Sequence, residues 1–351
     1  MRPPVIATST TFPIARGLAL AAVALLGIGC SGAPSLPEVV VYTALDREFS
    51  ESILNEYARQ ENVIVLPKYD LESTKTVGLA AAIRAEANHP RCDVFWNNEI
   101  LHTLRLESQG LLEVYYPPPA ESYPEMYRSP RGTWHGFAGR ARVLLVNTKI
   151  VREREFPHSI HDLADPRWKG KVGIAKPVFG TTATHAACLF SKLGNERAEA
   201  FFRSLKANQI QILSGNKQVA TAVGRGQLAF GLTDTDDAIG ELERGSPIKI
   251  IYPDQEASAI GTLFIPNTLA IVKNCPHPPQ ARQLVDHLLS PAVEIALANC
   301  PSAQIPLNSA VQDQSRVLPA SSVRAMQVDF QAAAEKWDAA MNFLKQEFLA
   351  P

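Results

Sequence analysis

The sequence lacks a surplus of either charge, a long apolar run and a paired-cysteine motif. Its 351 residues contain 34 Lys and Arg against 35 Asp and Glu, a formal net charge of −1. This balance excludes a protein that binds nucleic acid by broad phosphate neutralisation. The five cysteines form no Cys-x-x-Cys motif, which argues against a structural zinc site. GxSxG, HExxH and P-loop signatures are also absent, so no enzyme motif stands out.

The longest apolar run occupies residues 17–29, after Arg2 and Arg16. At about 1.5 Å per residue it would span about 20 Å, short of the roughly 30 Å hydrocarbon core of a membrane. A basic start followed by a short apolar core is typical of an export signal. The segment LGIGC at 26–30 resembles the lipobox of bacterial lipoproteins. We therefore expect a signal peptide at 1–29, lipidation of Cys30 and a polar tether at 30–37; the alternative is a secreted protein with an incidental Cys30.

Export would place the remaining four cysteines in an oxidising compartment. Cys92, Cys188, Cys275 and Cys300 are irregularly spaced, and three pairings of all four are possible. Cys275 and Cys300 lie near each other in the sequence, and each is followed by proline. This makes Cys275 and Cys300 the favoured pair.

Strand and helix signals alternate from residue 38 onward. Apolar strand-like runs at 38–43, 62–66 and 92–96 are separated by helical patterns at 50–60, 77–87 and 100–109. A proline-rich stretch at 115–131 interrupts this series, and a second α/β series follows it. Strands are expected at 141–147, 171–175, 227–232 and 268–273. Helices are expected at 182–193, 198–207, 217–225 and 279–289, and a long helix is expected over 321–350. The fold class is therefore α/β with parallel strands, and two lobes are favoured over a single large domain.

Several segments, in this order, resemble the type II periplasmic solute-binding proteins of ABC importers, and more narrowly their ferric-ion-binding branch. They are VVVYTALD at 39–46, CDVFWNNE at 92–99, WHGFAGRARVLLVN at 134–147 and DPRWKGKVG at 165–173, followed by residues 220–240 and 268–272. The resemblance implies two hinged Rossmann-like lobes, 38–135 with 265–351 and 136–264, that close on a ligand held in the cleft between them. Ligands of open α/β sheets bind at the carboxyl ends of the strands.

The candidate ligands differ from those of the ferric binders. That branch takes iron with His or Tyr after the first strand, Glu or Gln after the third, and an adjacent Tyr pair. Here the corresponding region offers carboxylates instead, and no tyrosine lies between Tyr127 and Tyr252. The expected metal ligands are Asp46, Glu99, Asp234, Asp236 and Asp237. Such oxygen ligands suit hard cations such as iron, Mn²⁺, Ca²⁺ or Mg²⁺.

The aspartates of LTDTDD at 232–237 also have a structural interpretation, because Asp is a common helix N-cap. Three acids in four residues exceed what one cap requires.

A second turn, PVFGTTATH at 177–185, offers glycine and hydroxyl groups where a helix begins, which suits an anion. The expected anion- or ligand-binding residues are Thr181, Thr182, Asn216, Arg140, Arg142 and Asn98. We expect Trp96 and Trp134 to border the cleft, where they could contact an organic cation or simply fill the hinge region.

The sequence thus predicts a substrate-binding lipoprotein of an ABC transporter, and not an enzyme. Its expected cargo is a metal ion, with iron favoured, bound with or without a synergistic anion, and its expected partners are the permease and its ATPase. The expected form is an exported monomer on the periplasmic or cell-surface side, held by its lipid anchor and without nucleic-acid partners. Alternatives are an organic cation such as a polyamine or thiamine, a small anionic solute, and a metal-dependent hydrolase.

Overall fold

The computed structural model describes residues 36–70, 76–311, 316–319 and 321–350. The expected signal peptide, Cys30 and most of the tether lie outside the described residues. Strands and helices alternate through the first part of the chain. These elements are β1 (Glu38–Thr43), α1 (Arg47–Glu61), β2 (Ile64–Tyr69), α2 (Val77–Ala85), β3 (Val94–Asn97) and α3 (Leu101–Ser108).

The remainder of the chain contributes six strands and seven helices to the described structure. They are β4 (His135–Asn147), β5 (Val172–Ala175), α4 (Gly180–Leu193), α5 (Asn195–Ala207), β6 (Gln211–Leu213), α6 (Asn216–Gly224), β7 (Phe230–Asp234), α7 (Thr235–Glu243), β8 (Ile248–Ile251), β9 (Phe264–Ile271), α8 (Pro278–Leu288), α9 (Pro291–Asn299) and α10 (Phe330–Phe343). None of the helices in the described ranges is long and apolar enough to cross a membrane.

The strands form one mixed, curled sheet in the order β2-β1-β3-β9-β4-β7-β5-β6, with β8 paired to β4. The expected parallel strands are found in two groups: β1 pairs in parallel with β2 and β3, and β5 with β6 and β7. Between these groups, β9 and β4 run antiparallel to their neighbours. The carboxyl ends of β1, β3, β5 and β7 supply the loops that form the candidate site.

Strand β4 joins the two groups of strands. Its first half, from His135 to Ala141, pairs with β9, and its second half, from Arg142 to Asn147, pairs with β7 and β8. The register shifts between Phe137 and Gly139, and Ala138 takes the left-handed region with φ of 40°. A bulge of this kind bends a strand and re-aims the side chains that follow it.

Several sequence expectations need correction. The strand expected at 141–147 begins at His135, because the glycine-rich segment before it pairs with β9. The helix expected over 321–350 begins only at Phe330, where Asp329 caps it by accepting from the backbone of Ala332. Strands β6 and β8 and helix α9 were not predicted. The two strands have only three and four residues, too few for an alternating pattern to identify.

The favoured disulfide between Cys275 and Cys300 is wrong. All four cysteines of the described chain are free thiols. Cys275 follows β9 and is buried beside Asp93, whereas Cys300 ends α9, where its Sγ contacts the backbone oxygen of Leu297 and the hydroxyl of Ser302. Proximity in sequence does not bring these thiols together because α8 and α9 lie between them.

His102 of α3 is buried against Trp337 of α10, with ring centroids 4.5 Å apart. Neither ring nitrogen has a hydrogen-bond partner. Burial, reinforced by the positive charges of Arg105 and Arg84, lowers the pKa of His102 to about 3. The imidazole is therefore neutral in the folded protein at every pH above that value.

We expect His102→Phe to flatten the pH dependence of stability. Between pH 6.5 and 3 the unfolded chain binds a proton at His102 that the folded chain does not, so stability falls as pH falls. At pH 4.5 this amounts to about 2.5 kcal/mol, which the variant would not lose. Urea unfolding of both proteins at pH 7 and pH 4.5 measures the difference. An equal decline in both would contradict the assignment.

Candidate functional site

A pocket of about 220 Å³ lies at the carboxyl ends of the strands. It is formed by the loops after β1, β3, β5 and β7 together with the first turns of α4, α6 and α7. Its lining residues are Asp46, Glu48, Asn98, Arg140, Ala175, Lys176, Phe179, Gly180, Thr181, Thr182, Ser214, Gly215, Asn216, Lys217, Gln218, Asp234, Asp236 and Asp237. Nine of the thirteen site residues expected from the sequence are among them.

Three aspartates form the acidic side of this pocket. Asp234, Asp236 and Asp237 each offer a carboxylate oxygen, and these oxygens lie within 4.8 Å of one another. Asp234 occupies the N-cap position of α7, yet its side chain makes no capping hydrogen bond. Capping therefore does not account for this cluster. Asp46 reaches the same pocket from the loop that joins β1 to α1.

Arg142 lies directly behind the aspartates and is fully buried. Its Nη1 is 2.6 Å from Oδ1 of Asp234, and the same nitrogen donates to Asn216 at 3.0 Å. Its Nη2 donates to the hydroxyl of Thr182 at 3.1 Å. Thr181 and Asn216 donate to the second oxygen of Asp234 at 2.5 and 3.0 Å. Arg142 thus supports the wall of the pocket and does not line it, and Asp234 is largely used by this network.

Arg140 supports a second aspartate in the same way. Its Nη1 lies 3.5 Å from Oδ2 of Asp236, and its Nη2 donates to Asn267 and Gln304 at 3.2 Å each. Arg140 is 3% exposed, and its Nε has no hydrogen-bond partner. Asn98, which is also buried at the pocket wall, has an unpartnered Oδ1. Such unsatisfied polar atoms in a pocket are suited to a polar ligand.

Two helices present free backbone N–H groups to the pocket. The N-cap residues of α4 and α6 are Phe179 and Gly215, and neither makes a side-chain capping bond. The first residues of α4, Gly180 to Thr182, line the pocket, as does the start of α6. Helix N-termini attract anions through these N–H groups and the helix dipole. The pocket can therefore accept negative charge on this side.

The charges of the pocket are mixed rather than purely acidic. Five carboxylate residues and three cationic residues line it. Lys217 of α6 lies 3.2 Å from Glu48 of α1, and both side chains are more than half exposed. This pair joins the two sides of the pocket at its rim, where an exposed ion pair contributes at most about 1 kcal/mol.

Glu99 does not reach the pocket, contrary to the expectation that it binds metal. Its buried carboxylate accepts from the backbone of Leu101 and His102 at 2.5 and 2.9 Å, at the start of α3. It also accepts from Asn97 at 2.7 Å and Thr184 at 2.9 Å. Burial raises the pKa of Glu99. Because both oxygens are occupied, Glu99 is a structural residue that connects α3 to α4.

We expect Glu99→Ala to lower the free energy of unfolding by about 2–4 kcal/mol, because four donors lose a buried acceptor. Ligand affinity should change by no more than about twofold, since the pocket is untouched. Urea unfolding and a binding titration on the same preparation measure both quantities. Loss of binding with unchanged stability would restore Glu99 to the ligand set.

The two tryptophans also lie elsewhere. Trp96 is fully buried and packs on Phe137, with ring centroids 5.5 Å apart. Trp134 is 5% exposed and lines a separate cavity beside α3 and α10. The expectation that they border the ligand cleft is not met, because successive strand residues face opposite sides and Trp96 points into the core. The alternative interpretation of core-filling residues describes both.

Polar residues at or beside the site that were not predicted from the sequence include Glu48, Lys176, Lys217 and Gln304. Lys176 follows β5 directly and Lys217 is the second residue of α6, so their positions at strand and helix ends could have marked them. Glu48 stands in the first turn of α1, next to the predicted Asp46. Gln304 comes from an irregular loop after α9, where no local pattern distinguishes it.

Comparisons with known proteins agree with this architecture. A family described as bacterial extracellular solute-binding protein matches residues 102–349. The major ferric iron-binding protein of Neisseria meningitidis is 24% identical over 321 residues, covering 89% of this chain and 94% of that protein. Iron-bound HitA from Pseudomonas aeruginosa superposes with a TM-score of 0.79 at 23% identity, over 88% of this chain and 98% of HitA. AfuA from Actinobacillus pleuropneumoniae, solved with fructose-6-phosphate, superposes with a TM-score of 0.79 at 22% identity, over 90% of this chain and 100% of AfuA.

The family match covers most of the chain, and the superposed structures share its α/β topology across nearly their whole length. The fold is that of the two-lobed type II periplasmic binding proteins. The matched relatives are periplasmic binding proteins and not enzymes. The chain belongs to the bacterial extracellular solute-binding protein family and serves as a solute-binding component of ABC import, with the architecture of the ferric-ion-binding proteins.

Proposed function

We propose that the protein captures ferric iron together with an anion and delivers them to an ABC permease driven by its ATPase. The observation that carries this proposal is the group of Asp234, Asp236 and Asp237, whose oxygens lie within 4.8 Å of one another in the pocket. Carboxylate oxygens are ligands that hard cations prefer. The Neisseria relative is a ferric iron-binding protein and HitA was solved with iron bound, and both support the same cargo.

Asp236, Asp237 and Asp46 are the ligands we assign to the metal. Asp234 is a weaker ligand for the metal, because its oxygens already accept hydrogen bonds from Arg142 and Thr181. The anion would lie at the starts of α4 and α6, where Thr181, Thr182 and Asn216 are placed. Arg140 would hold it from β4, and Asn98 from the loop after β3. An anion beside the metal fits a site in which carboxylates and helix N-termini face the same cavity.

The absence of tyrosine sets this site apart from a phenolate-bound ferric site. With carboxylates alone, we expect a weaker preference for Fe³⁺ over divalent ions than phenolate ligands would give. Calorimetric titration of the metal-free protein with ferric nitrilotriacetate, Fe²⁺, Mn²⁺ and Ca²⁺, each with and without phosphate, tests this. Tight ferric binding that strengthens with phosphate supports the proposal. No heat from any metal would overturn it.

A second candidate is an organic phosphate bound without metal. Arg142 and Arg140 pair with two of the three aspartates, and Lys176 and Lys217 stand at the rim. These cations leave less free negative charge than the sequence suggested. The structure of AfuA contains fructose-6-phosphate, and that ligand is a suitable probe. Binding of fructose-6-phosphate to metal-free protein, with no ferric binding, would favour this candidate.

The remaining expectations belong to the same proposal. Cys30 would carry the lipid anchor, after removal of residues 1–29, and the mature monomer would remain at the membrane surface. The lobes would comprise residues 38–135 with 265–351, and residues 136–264. The exchange of partners along β4, from β9 to β7 and β8, supports a boundary at this strand. Mass spectrometry of the protein from its native membrane would test the anchor.

A further inference from the structure

A buried carboxylate, Glu294 of α9, lies well outside the ligand pocket. Its side chain is inaccessible to solvent. Oε1 accepts from the backbone N–H of Ala138 at 2.6 Å, and Oε2 accepts from Leu307 and Asn308 at 2.8 and 2.7 Å. Glu294 therefore joins three segments of the chain: α9, the bulge of β4 and the loop at 305–308.

The residue it holds in β4 is the strained one. Ala138 has φ of 40°, a conformation that is unfavourable for a non-glycine residue and persists only where its surroundings enforce it. The next residue, Gly139, exchanges two backbone hydrogen bonds with Ile305, both 2.7 Å. Glu294 thus holds both β4 and the loop at 305–308 at this junction, within the half of β4 that pairs with β9.

A chain of hydrogen bonds leads from this bulge to the ligand pocket. The side-chain amide of Asn267 in β9 donates to the backbone oxygen of Ala138 and also to Gln304, the latter at 2.8 Å. Arg140 donates to both Asn267 and Gln304. At the pocket end of this chain, Nη1 of Arg140 lies 3.5 Å from Oδ2 of Asp236, and Gln304 donates to the same carboxylate at 3.4 Å. The bulge and a pocket-lining aspartate are therefore parts of one polar network.

We propose that Glu294 is a positioning residue that sets ligand affinity by holding the β4 bulge, and through it Asn267, Gln304 and Arg140, against Asp236. This inference rests on the proposed function only in the identity of the ligand. The ionised carboxylate can accept all three backbone bonds at once. A protonated carboxyl carries a hydrogen on one oxygen, and that oxygen must give up a donor. Protonation would therefore release either the bulge or the loop at 305–308.

The ionisation of Glu294 falls in a physiological range. Burial raises its pKa to about 7, against the opposing effect of its backbone hydrogen bonds. Among the described elements packed against α9, Tyr123 is the titratable group that faces the carboxylate of Glu294. Burial also raises the pKa of Tyr123, so the phenol stays protonated over this range. We therefore expect the network to tighten between pH 6 and pH 8 as Glu294 ionises.

The first test needs no ligand. Side-chain ¹⁵N–¹H signals of Arg140 and Asn267 are followed from pH 5 to pH 9 by NMR. We expect both to shift with a common midpoint near 7 in the wild type and to stay flat through that range in Glu294→Gln. Asp93→Asn is the matched control, because Asp93 is a buried carboxylate that accepts from the backbone of Val40 and His277 at 2.7 Å each, outside this network. It should keep the midpoint. Wild-type signals that do not move, or an unchanged midpoint in Glu294→Gln, would overturn the proposal.

The second test measures binding of ferric nitrilotriacetate with phosphate at pH 6 and pH 8. From pH 8 to pH 6, the dissociation constant should rise about tenfold more for the wild type than for Glu294→Gln, a typical coupling between two sites. Equal changes in the two proteins would refute a role in affinity. If the wild type binds neither iron nor phosphate while the NMR result holds, the proposed cargo is wrong and the positioning role stands. If Glu294→Gln fails to fold, the wild-type NMR titration still decides the matter.

Discussion

Replacing Asp236 and Asp237 together with asparagine should lower ferric affinity by more than about 100-fold, the upper end of the loss seen when a ligand's supporting partner is removed. The two side chains line the pocket and provide two of its three clustered carboxylates, while the third, Asp234, is held by Arg142. Asparagine keeps the shape and removes both negative charges. Competition titration against nitrilotriacetate measures the affinity. The free energy of unfolding should change by no more than about 1 kcal/mol, because both residues are partly exposed.

Glu243→Gln is the matched control for this pair. Glu243 ends the same helix, α7, and pairs with Arg316 at 2.5 Å on the surface. The control removes one negative charge from the same helix at a distance from the pocket. Ferric affinity should therefore be unchanged. If the double variant with Asp236→Asn and Asp237→Asn binds iron as tightly as the wild type, the cluster of aspartates is not the metal site. If fructose-6-phosphate binding increases at the same time, the organic phosphate becomes the better assignment.

Substitution of Arg142 by methionine should cost about 3–5 kcal/mol of stability, the range for leaving one partner of a buried ion pair alone. Asp234 is 2% exposed and would keep its charge without the guanidinium 2.6 Å away. Thr182 and Asn216 would also lose their shared donor. Solute affinity should fall as well, because these side chains form the wall of the pocket. Guanidinium unfolding and a binding titration test both effects.

Combining Arg142→Met with Asp234→Asn separates the charge from the packing. The double variant removes both members of the pair, so no uncompensated charge remains in the interior. We expect it to recover at least half of the stability that Arg142→Met loses. Equal destabilisation of the two variants would mean that the loss comes from packing of the guanidinium. A loss below about 1 kcal/mol for Arg142→Met would show that Asp234 is hydrated or neutral in the folded protein.

Local sequence patterns predicted much of the fold. Helix α4 was expected at 182–193 and begins at Gly180, and α6 was expected at 217–225 and covers Asn216–Gly224. Such segments have clear apolar periodicity, which is a local property. The long strand β4 was only half predicted because its first half is rich in glycine and pairs with β9 across the sheet. Pairing between distant segments leaves no periodic signal in either one.

The candidate site was predicted in part for the same reason. Asp46, Asn98, Thr181 and Asp234 follow strands or begin helices, and parallel topology brings those ends to one pocket. Glu99 also follows a strand, yet its side chain turns back to the start of α3. The direction of a side chain depends on the donors around it, and the donor Thr184 comes from a helix 85 residues away. Lipidation at Cys30 stays a prediction.

The sequence by itself determined most of the strands and helices in their order, the positions of polar residues at their ends and the resemblance to the ferric-ion-binding proteins. Only the tertiary structure decided which charges are paired. The five candidate carboxylates suggested an acidic cleft, but Arg140 and Arg142 face Asp236 and Asp234 from a neighbouring strand. Charge pairing depends on distances between residues about 90 positions apart, and folding sets those distances. The pocket is consequently a mixed site, with carboxylates for a cation and helix N-termini for an anion.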